Sequence, residues 1–321
     1  MSGAEDRPAL GEFEQIARLY RPLTRGAPEA LDLLDDAAVI PQRPGFDLVI
    51  TKDAVVEGVH FPTGERPDLV ARKLLRVNLS DLAAKGAEPW GYFLAVSWPP
   101  GWDWPVRQAF AAGLAEDGEA FGLALLGGDT TSTPGLMTAS VTMLGWVPVG
   151  GMVRRSGARP GDLVLVSGSI GDGWLGLGAV RGEIEDPDGH LAGRYRVPNP
   201  RVDLRDMLRT CASAAADVSD GLIADAGHIA EASGVRMRLD LARLPLSPAA
   251  ANWLQRQPDQ PAARVGLASG GDDYEVVFTA SPEDAAASGQ TVIGEVVEGA
   301  GVAVTFEGRE LDPGQGGWRH A

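Results

Sequence analysis

Seven short acidic segments run along the chain: Asp35-Asp36, Lys52-Asp53, Asn78 to Asp81, Gly127-Gly128-Asp129, Gly171-Asp172-Gly173, Asp217-Val218-Ser219-Asp220-Gly221 and Gly270-Gly271-Asp272-Asp273-Tyr274-Glu275. Each falls where the residue pattern has a strand or a helix ending. Most follow an apolar run or stand beside glycine, which marks placed carboxylates rather than a solvated acidic face. Carboxylates that converge in a fold repel one another at close range. A chain carrying all of these must fold so that the repulsion is relieved. Hard divalent cations take oxygen ligands and usually bring nucleotide phosphates with them. The pattern points to a multi-metal, phosphate-handling enzyme.

The 321 residues are enough for two domains, and a 44% hydrophobic content supports sizeable cores. No long uninterrupted apolar segment is present, so no membrane span is expected. Met1 to Leu10 lacks a basic stretch followed by an apolar one, so no signal peptide is expected. Cys211 is the single cysteine, which rules out an internal disulfide and any multi-cysteine metal site. A reducing, cytoplasmic setting fits. A net charge of −16 argues against nucleic acid as a partner. An anionic nucleotide is compatible with that charge when metals supply the positive counterpart.

Phe46 to Thr51 reads as a strand running into Lys52-Asp53, and Gly91 to Trp98 as another. Residues 67–85 read as a helix, with Leu69, Lys73, Leu74, Val77 and Leu82 forming its stripe. Asn78, Asp81 and Lys85 share one face of it. Trp104 to Phe121 is a second helix, Leu123 to Leu126 a short buried strand, and Leu136 to Val147 a further strand. A glycine- and proline-rich stretch at 145–161 marks a boundary. After it come strands at Asp162 to Ser167, Ala214 to Val218, Tyr274 to Thr279, Thr291 to Val297 and Val302 to Phe306. Helices are expected from Trp174, over Arg201 to Arg209 and over Leu222 to Ala232. Mixed strands and helices in both halves indicate two α/β or α+β domains, 1–150 and 151–321.

A lone aspartate after a strand is ordinarily a cap or turn residue. Asp36, Asp53, Asp81 and Asp129 together, the last behind a double glycine, are harder to assign to caps. The glycines would let backbone N–H groups approach a phosphate. Asp217 to Gly221 lies between a strand and a helix, so Ser219 or Asp220 is either an N-cap or part of an anion site at the helix start. Gly168 to Gly173 opens a helix, but its spacing is not that of a dinucleotide loop, and no Walker A pattern is present. Arg155 is either a solvated cation or a phosphate ligand, for which its guanidinium geometry is suited. His60 and Trp318 read individually as a loop residue and a late aromatic.

Taken in order, Asp35-Asp36-Ala37-Ala38, Thr51-Lys52-Asp53 with Gly58-Val59-His60-Phe61, Asn78 to Ala84, Gly127 to Thr131, Arg155 to Ala158 with Pro160-Gly161-Asp162, Asp217 to Leu222 and Ser269 to Glu275 resemble the thiamine-monophosphate kinases. These belong to a superfamily that includes aminoimidazole ribonucleotide synthetase. The resemblance spans nearly the whole chain. It implies an ATP- and Mg²⁺-dependent phosphorylation of thiamine monophosphate to thiamine diphosphate. The implied architecture is a two-domain aminoimidazole ribonucleotide synthetase-like fold whose N-terminal sheet pairs with its copy in a homodimer, followed by a C-terminal α/β domain.

By position, the resemblance implies Asp36, Thr51, Lys52 (through its backbone carbonyl), Asp53, Asp81, Asp129, Asp217 and Asp220 as metal ligands. Asp53, Asp129 and Asp220 are the implied catalytic group. Gly128, Asp129, Arg155 and Ser219 would meet ATP, and His60, Asp272 and Trp318 the thiamine phosphate. The chain departs from the family pattern at Leu34, where glycine is frequent, at Lys52, often threonine, and at Asp272, often glutamate. The competing readings are a selenophosphate synthetase or hydrogenase-maturation enzyme of the same superfamily, or a non-catalytic nucleotide- and metal-binding protein. Cys211 lies at neither end, where those two enzymes carry a cysteine.

Overall fold

A computed structural model describes residues 11–314, 316 and 317. Strands β1 (Phe46–Val56), β2 (Glu88–Trp98), β3 (Ala124–Ser132) and β4 (Thr138–Pro148) form a four-stranded sheet of order β1-β4-β2-β3. Pairing is antiparallel except between β2 and β3. The helices Pro67–Ala84 and Trp104–Phe121 both start with proline in the first turn, where its missing N–H costs nothing. Their leucines and Phe110 pack onto Tyr92, Leu94, Val96, Val141 and Met143 on one face of the sheet. The helices approach so closely that a side chain at Gly113 would run into the backbone of Asp68. Arg76 and Arg72 lock them by pairing with the buried Asp117, Arg76 Nε at 2.6 Å.

The opposite face of this sheet carries a small apolar cluster of Leu48, Trp90, Phe93, Leu126 and Leu144. Ile50, opposite Leu144 in the β1–β4 pair, is 58% exposed there.

The second half is a seven-stranded sheet of order β11-β10-β7-β9-β5-β8-β6. Its strands are β5 (Leu163–Val166), β6 (Ala214–Asp217), β7 (Arg236–Asp240), β8 (Val276–Ala280), β9 (Thr291–Val297), β10 (Gly301–Phe306) and β11 (Arg309–Leu311). Only β7 and β10 pair in parallel. The helices Asp172–Val180, Leu222–Ser233, Pro248–Gln255 and Gln260–Ser269 pack on it around Val164, Val166, Ala216, Met237, Val277 and Ile293. Both halves therefore combine helices with mixed sheets dominated by antiparallel pairs.

Besides the Arg196–Glu65 ion pair, at 2.7 Å, four side chains clasp the halves by each bonding a main-chain carbonyl across the cleft. Arg76 reaches Pro198 at 2.9 Å, Lys85 reaches Ala215 at 2.7 Å, Tyr195 reaches His60 at 2.9 Å, and Arg209 reaches Gly86. Among the described residues no helix is long and apolar enough to cross a membrane.

Several elements differ from the sequence reading. β1 continues through Val56, because the alternation of Thr51, Asp53 and Val55 keeps the strand period. Asp53 thus lies inside a strand rather than after one. Asp129 lies inside β3, which runs on through Thr130, Thr131 and Ser132, and Asp81 lies within the last turn of its helix. The helix expected over Arg201 to Arg209 is a 3₁₀ turn, Val202–Leu204, followed by a helix, Arg205–Cys211. β8 starts at Val276 because Asp272 and Tyr274 take left-handed backbone, with φ of 61° and 53°.

Candidate active site in the cleft

A cavity of about 620 Å³ lies between the halves. β1 sends Asp53 into it, the Pro67–Ala84 helix sends Lys73, Val77 and Asp81, and the end of β6 sends Asp217. Ser219 and Asp220 come from the turn before the Leu222–Ser233 helix. His60, Arg155, Asp272 and Tyr274 complete the polar wall, and Trp174, Leu177 and Tyr195 the less polar one.

The acids are held rather than loose. Thr51 donates its hydroxyl to Asp81, and the Asp53 backbone N–H donates to Asn78 Oδ1 at 3.0 Å. Asn78 is itself fixed by donating to Leu74 O at 2.9 Å. Burial pushes the Asp53 carboxyl up to about 7, with Asp81 and then Asp220 adding to it. Burial also drives Asp217 well above the usual carboxylate range; Asp81 and Asp225 push the same way, while Ser80 and Lys85 oppose them. Asp81 makes both Asp53 and Asp217 harder to ionise, which is the condition a divalent cation removes.

Asp225 is a residue the sequence reading missed. Its Oδ2 accepts the backbone N–H groups of Ser219, Asp220 and Gly221, each at 3.1 Å, and so shapes the turn that presents Asp220. Burial first, and then Asp220, raise its carboxyl to about 7. An aspartate in the first turn after Ser-Asp-Gly is the signal that could have found it.

The remaining expected ligands are elsewhere. Asp36, Gly128 and Asp129 line a second cavity, of about 510 Å³, at the β3 edge of the first sheet. Asp53, Val141, Leu94 and Gly128 form one row across that sheet. Paired residues share a face, and successive residues alternate, so Asp129 faces away from the side that carries Asp53. Three strand spacings, about 14 Å, separate the two edges. One chain therefore brings together Thr51, Asp53, Asp81, Asp217 and Asp220, and holds Asp36 and Asp129 apart from them. Lys52 is exposed on the face opposite Asp53. Gly128 has a packing reason to be glycine, since a side chain there would strike the Leu94 carbonyl. Trp318 lies outside the described residues, although Gly317 reaches the cleft cavity.

The sequence profile of the AIR synthase related protein N-terminal domain matches residues 34–147, and that of the C-terminal domain matches 159–307. A thiamine-monophosphate kinase of Caulobacter vibrioides is 61% identical over 318 residues, covering 96% of this chain and 90% of the relative. The chain belongs to the thiamine-monophosphate kinase family. The crystal structure of the thiamine-monophosphate kinase from Stenotrophomonas maltophilia superposes with a TM-score of 0.82 at 38% identity, covering 94% of this chain and 98% of that one. AaThiL complexed with AMPPCP and TMP matches with a TM-score of 0.78 at 31% identity, over 88% of this chain and 89% of that one.

Two further acids of the acidic segments serve the scaffold. Asp172 is buried and accepts from Ser169 at 2.7 Å and Ser247 at 2.5 Å, with His190 Nε2 at 3.2 Å. Asp273 is buried and accepts the Gly171 and Gly173 N–H groups at 2.8 and 2.9 Å. Asp273 pins the Gly171-Asp172-Gly173 turn to the Gly270–Glu275 loop, and Asp172 ties that turn to Ser247 and His190. That fixes Asp272, whose Oδ1 accepts from Tyr274 OH at 3.0 Å, on the cavity wall.

Proposed function

We propose that this chain transfers the terminal phosphoryl group of ATP directly to the phosphate of thiamine monophosphate, with Mg²⁺ held by the acids of the cleft. The observation that carries the reading is the convergence of Asp53, Asp81, Asp217 and Asp220 on one cavity between the halves, in a chain 61% identical to a thiamine-monophosphate kinase. The donor set is all hard oxygen, and its mutual repulsion suits Mg²⁺. Thr51, Asp53, Asp81, Asp217 and Asp220 would hold the cation, which supplies charge neutralisation to the meeting phosphates.

Donor and acceptor are both phosphates. The acceptor oxygen is largely ionised at neutral pH, because the second phosphate pKa is about 6. No side chain therefore has to remove a proton, and no nucleophile–base pair lines the cavity. The task left to the protein is to neutralise charge and to hold the two groups in line. Arg155 and Ser219 border the cavity on the side of the Asp217–Gly221 turn and would bind nucleotide phosphate. His60 and Asp272 would receive the thiamine phosphate. His60 is set for this by accepting the Val56 N–H on Nδ1 at 3.1 Å.

In this reading residues 1–150 bind nucleotide and metal and make a homodimer, residues 151–321 form the C-terminal domain, and the protein works in the cytoplasm. The exposed Ile50, on the sheet face that carries the small apolar cluster, supports the dimer. A second copy on that face is what could add Asp36 and Asp129 to a ligand set that one chain leaves divided.

The test is purified protein with ATP, Mg²⁺ and thiamine monophosphate, the product separated by chromatography. Stoichiometric thiamine diphosphate and ADP are expected. Nucleotide binding without formation of thiamine diphosphate would overturn the assignment.

A further inference from the structure

Lys73 is a buried cation whose donors are not used up by the fold. Its side chain is 4% exposed, and Nζ makes no hydrogen bond among the described residues. Its neighbours are the Asp272 carboxylate, 3.4 Å from Nζ, and the face of the Tyr195 ring, 3.5 Å from Nζ to the centroid. An ammonium group carries three donors, and burying them unused is costly. Burial itself depresses this lysine, with Asp272 pulling the other way. The site does not explain Lys73 as a surface charge or as an ordinary core residue.

Its placement is informative. Lys73 lines the cleft cavity together with His60 and Asp272, the two residues assigned above to the thiamine phosphate. Of the cavity's three cations, Arg155 and Arg181 are exposed and Lys73 is buried. Lys73, Val77 and Asp81 recur every four residues and line the cavity from one helix face. Two turns, about 12 Å, separate the Cα atoms of Lys73 and Asp81. That spacing puts a cation at one end of the face and the metal-binding acids at the other.

We propose that Lys73 binds the phosphate of the acceptor, donating to its oxygens and holding it against the acid end of the cleft. This rests on the kinase reading above. Asp272 balances the lysine while the cavity is empty and then faces the cationic ring of the substrate. A point charge on a flexible stem suits a phosphate oxygen that must stay free to attack, since it binds without a bidentate clamp.

The test compares thiamine monophosphate with thiamine, which lacks the phosphate, by calorimetry in Mg²⁺ buffer without ATP. The wild-type chain should bind thiamine monophosphate at least about 10-fold more tightly than thiamine, the worth of one charge-assisted hydrogen bond. Lys73→Met keeps the buried stem and removes the charge. It should bring the two affinities within about two-fold of each other while leaving that for thiamine in place. Lys73→Arg should recover part of the preference. In steady state, Lys73→Met should raise KM for thiamine monophosphate and leave KM for ATP within about two-fold. A preserved preference in Lys73→Met overturns the proposal. So does a fall in melting temperature with both KM values rising together, which marks an inter-half strut. Lys73→Gln, which restores hydrogen bonding without charge, should behave as Met; full recovery by Gln overturns the charge argument. A wild-type chain that binds neither compound sinks the kinase reading instead.

Discussion

The chain keeps acids in two places, and the two are built on different terms. In the cleft, Asp217 is buried and Asp53 half-buried, both are pushed up by burial and then by Asp81, and each is framed by Asn78, Ser80 or Lys85. At the β3 edge, Asp36 and Asp129 are exposed, and the walls beside them are Phe93, Leu125 and Leu126. Crowding like charges in a cleft destabilises the fold, and such strain persists where function uses it. Exposed acids cost the fold little. The cleft is thus a site assembled within one chain. The edge is a half-site whose meaning depends on the surface brought to it.

Substitution should separate the two places. Asp53→Asn and Asp129→Asn should each lower turnover at saturating Mg²⁺ by about 100-fold or more, as expected when charge stabilisation is removed from a transferring phosphate. Their stabilities should diverge. Metal-free Asp53→Asn should melt higher than wild type, because a repelling charge leaves the cleft, whereas Asp129→Asn should melt at the wild-type temperature. Calorimetry on both variants checks this. Equal melting shifts would erase the distinction between the two places.

A second copy is the surface expected to complete the edge. Ile50→Glu puts a charge at the exposed position of the sheet face that carries the small apolar cluster, and light scattering at micromolar concentration should then report one chain's mass where the wild type reports two. Turnover should fall with the dimer. A wild type that is monomeric and fully active would leave the edge acids without a partner.

The smallest expected effect concerns Lys85, the cation set against Asp217. Burial, and then Arg155, push its ammonium down to about 8 from 10.5. The unfolded chain keeps that proton up to its ordinary value, so between those two values the unfolded state binds more protons and stability rises with pH. Lys85→Met removes this term. The difference in melting temperature, wild type minus variant, should therefore grow between about pH 7.5 and about pH 9.5. A constant difference would mean that Lys85 is not strained by the cleft.

Much of the site was legible because its motifs are local. Asp217 to Gly221 and the strand before it read correctly as a strand-to-helix junction. What sequence could not show was the facing of side chains across strands. Asp53 and Asp129 look alike as acids after apolar runs, yet the row from Asp53 to Gly128 sets them on opposite faces. Register is a property of pairing between distant segments, and no single segment carries it. Lys73 left one trace, its place on the apolar stripe of its helix, but a stripe does not tell a buried ammonium from a stem lying along the surface. The helices Pro248–Gln255 and Gln260–Ser269 went unread, although Ser247 and Asp259 cap them by accepting from Ala250 and Ala262.

The clasp between the halves has a consequence for how the sequence can drift. Arg76, Lys85, Tyr195 and Arg209 each grip a carbonyl, a group that every residue at the accepting position supplies. Pro198 and Ala215 can change side chain without releasing the grip, so their donors need no matched changes on the other side, whereas His60 is also held by its proposed place against the substrate. Gly86 is the exception, because a Cβ there would stand 2.6 Å from the Arg209 stem. Homologues should therefore conserve the four donors, this glycine and the substrate-facing His60, while the accepting positions at Pro198 and Ala215 vary. These four contacts are inherited through one side chain each, whereas the Arg196–Glu65 and Lys73–Asp272 pairs across the same boundary need both partners.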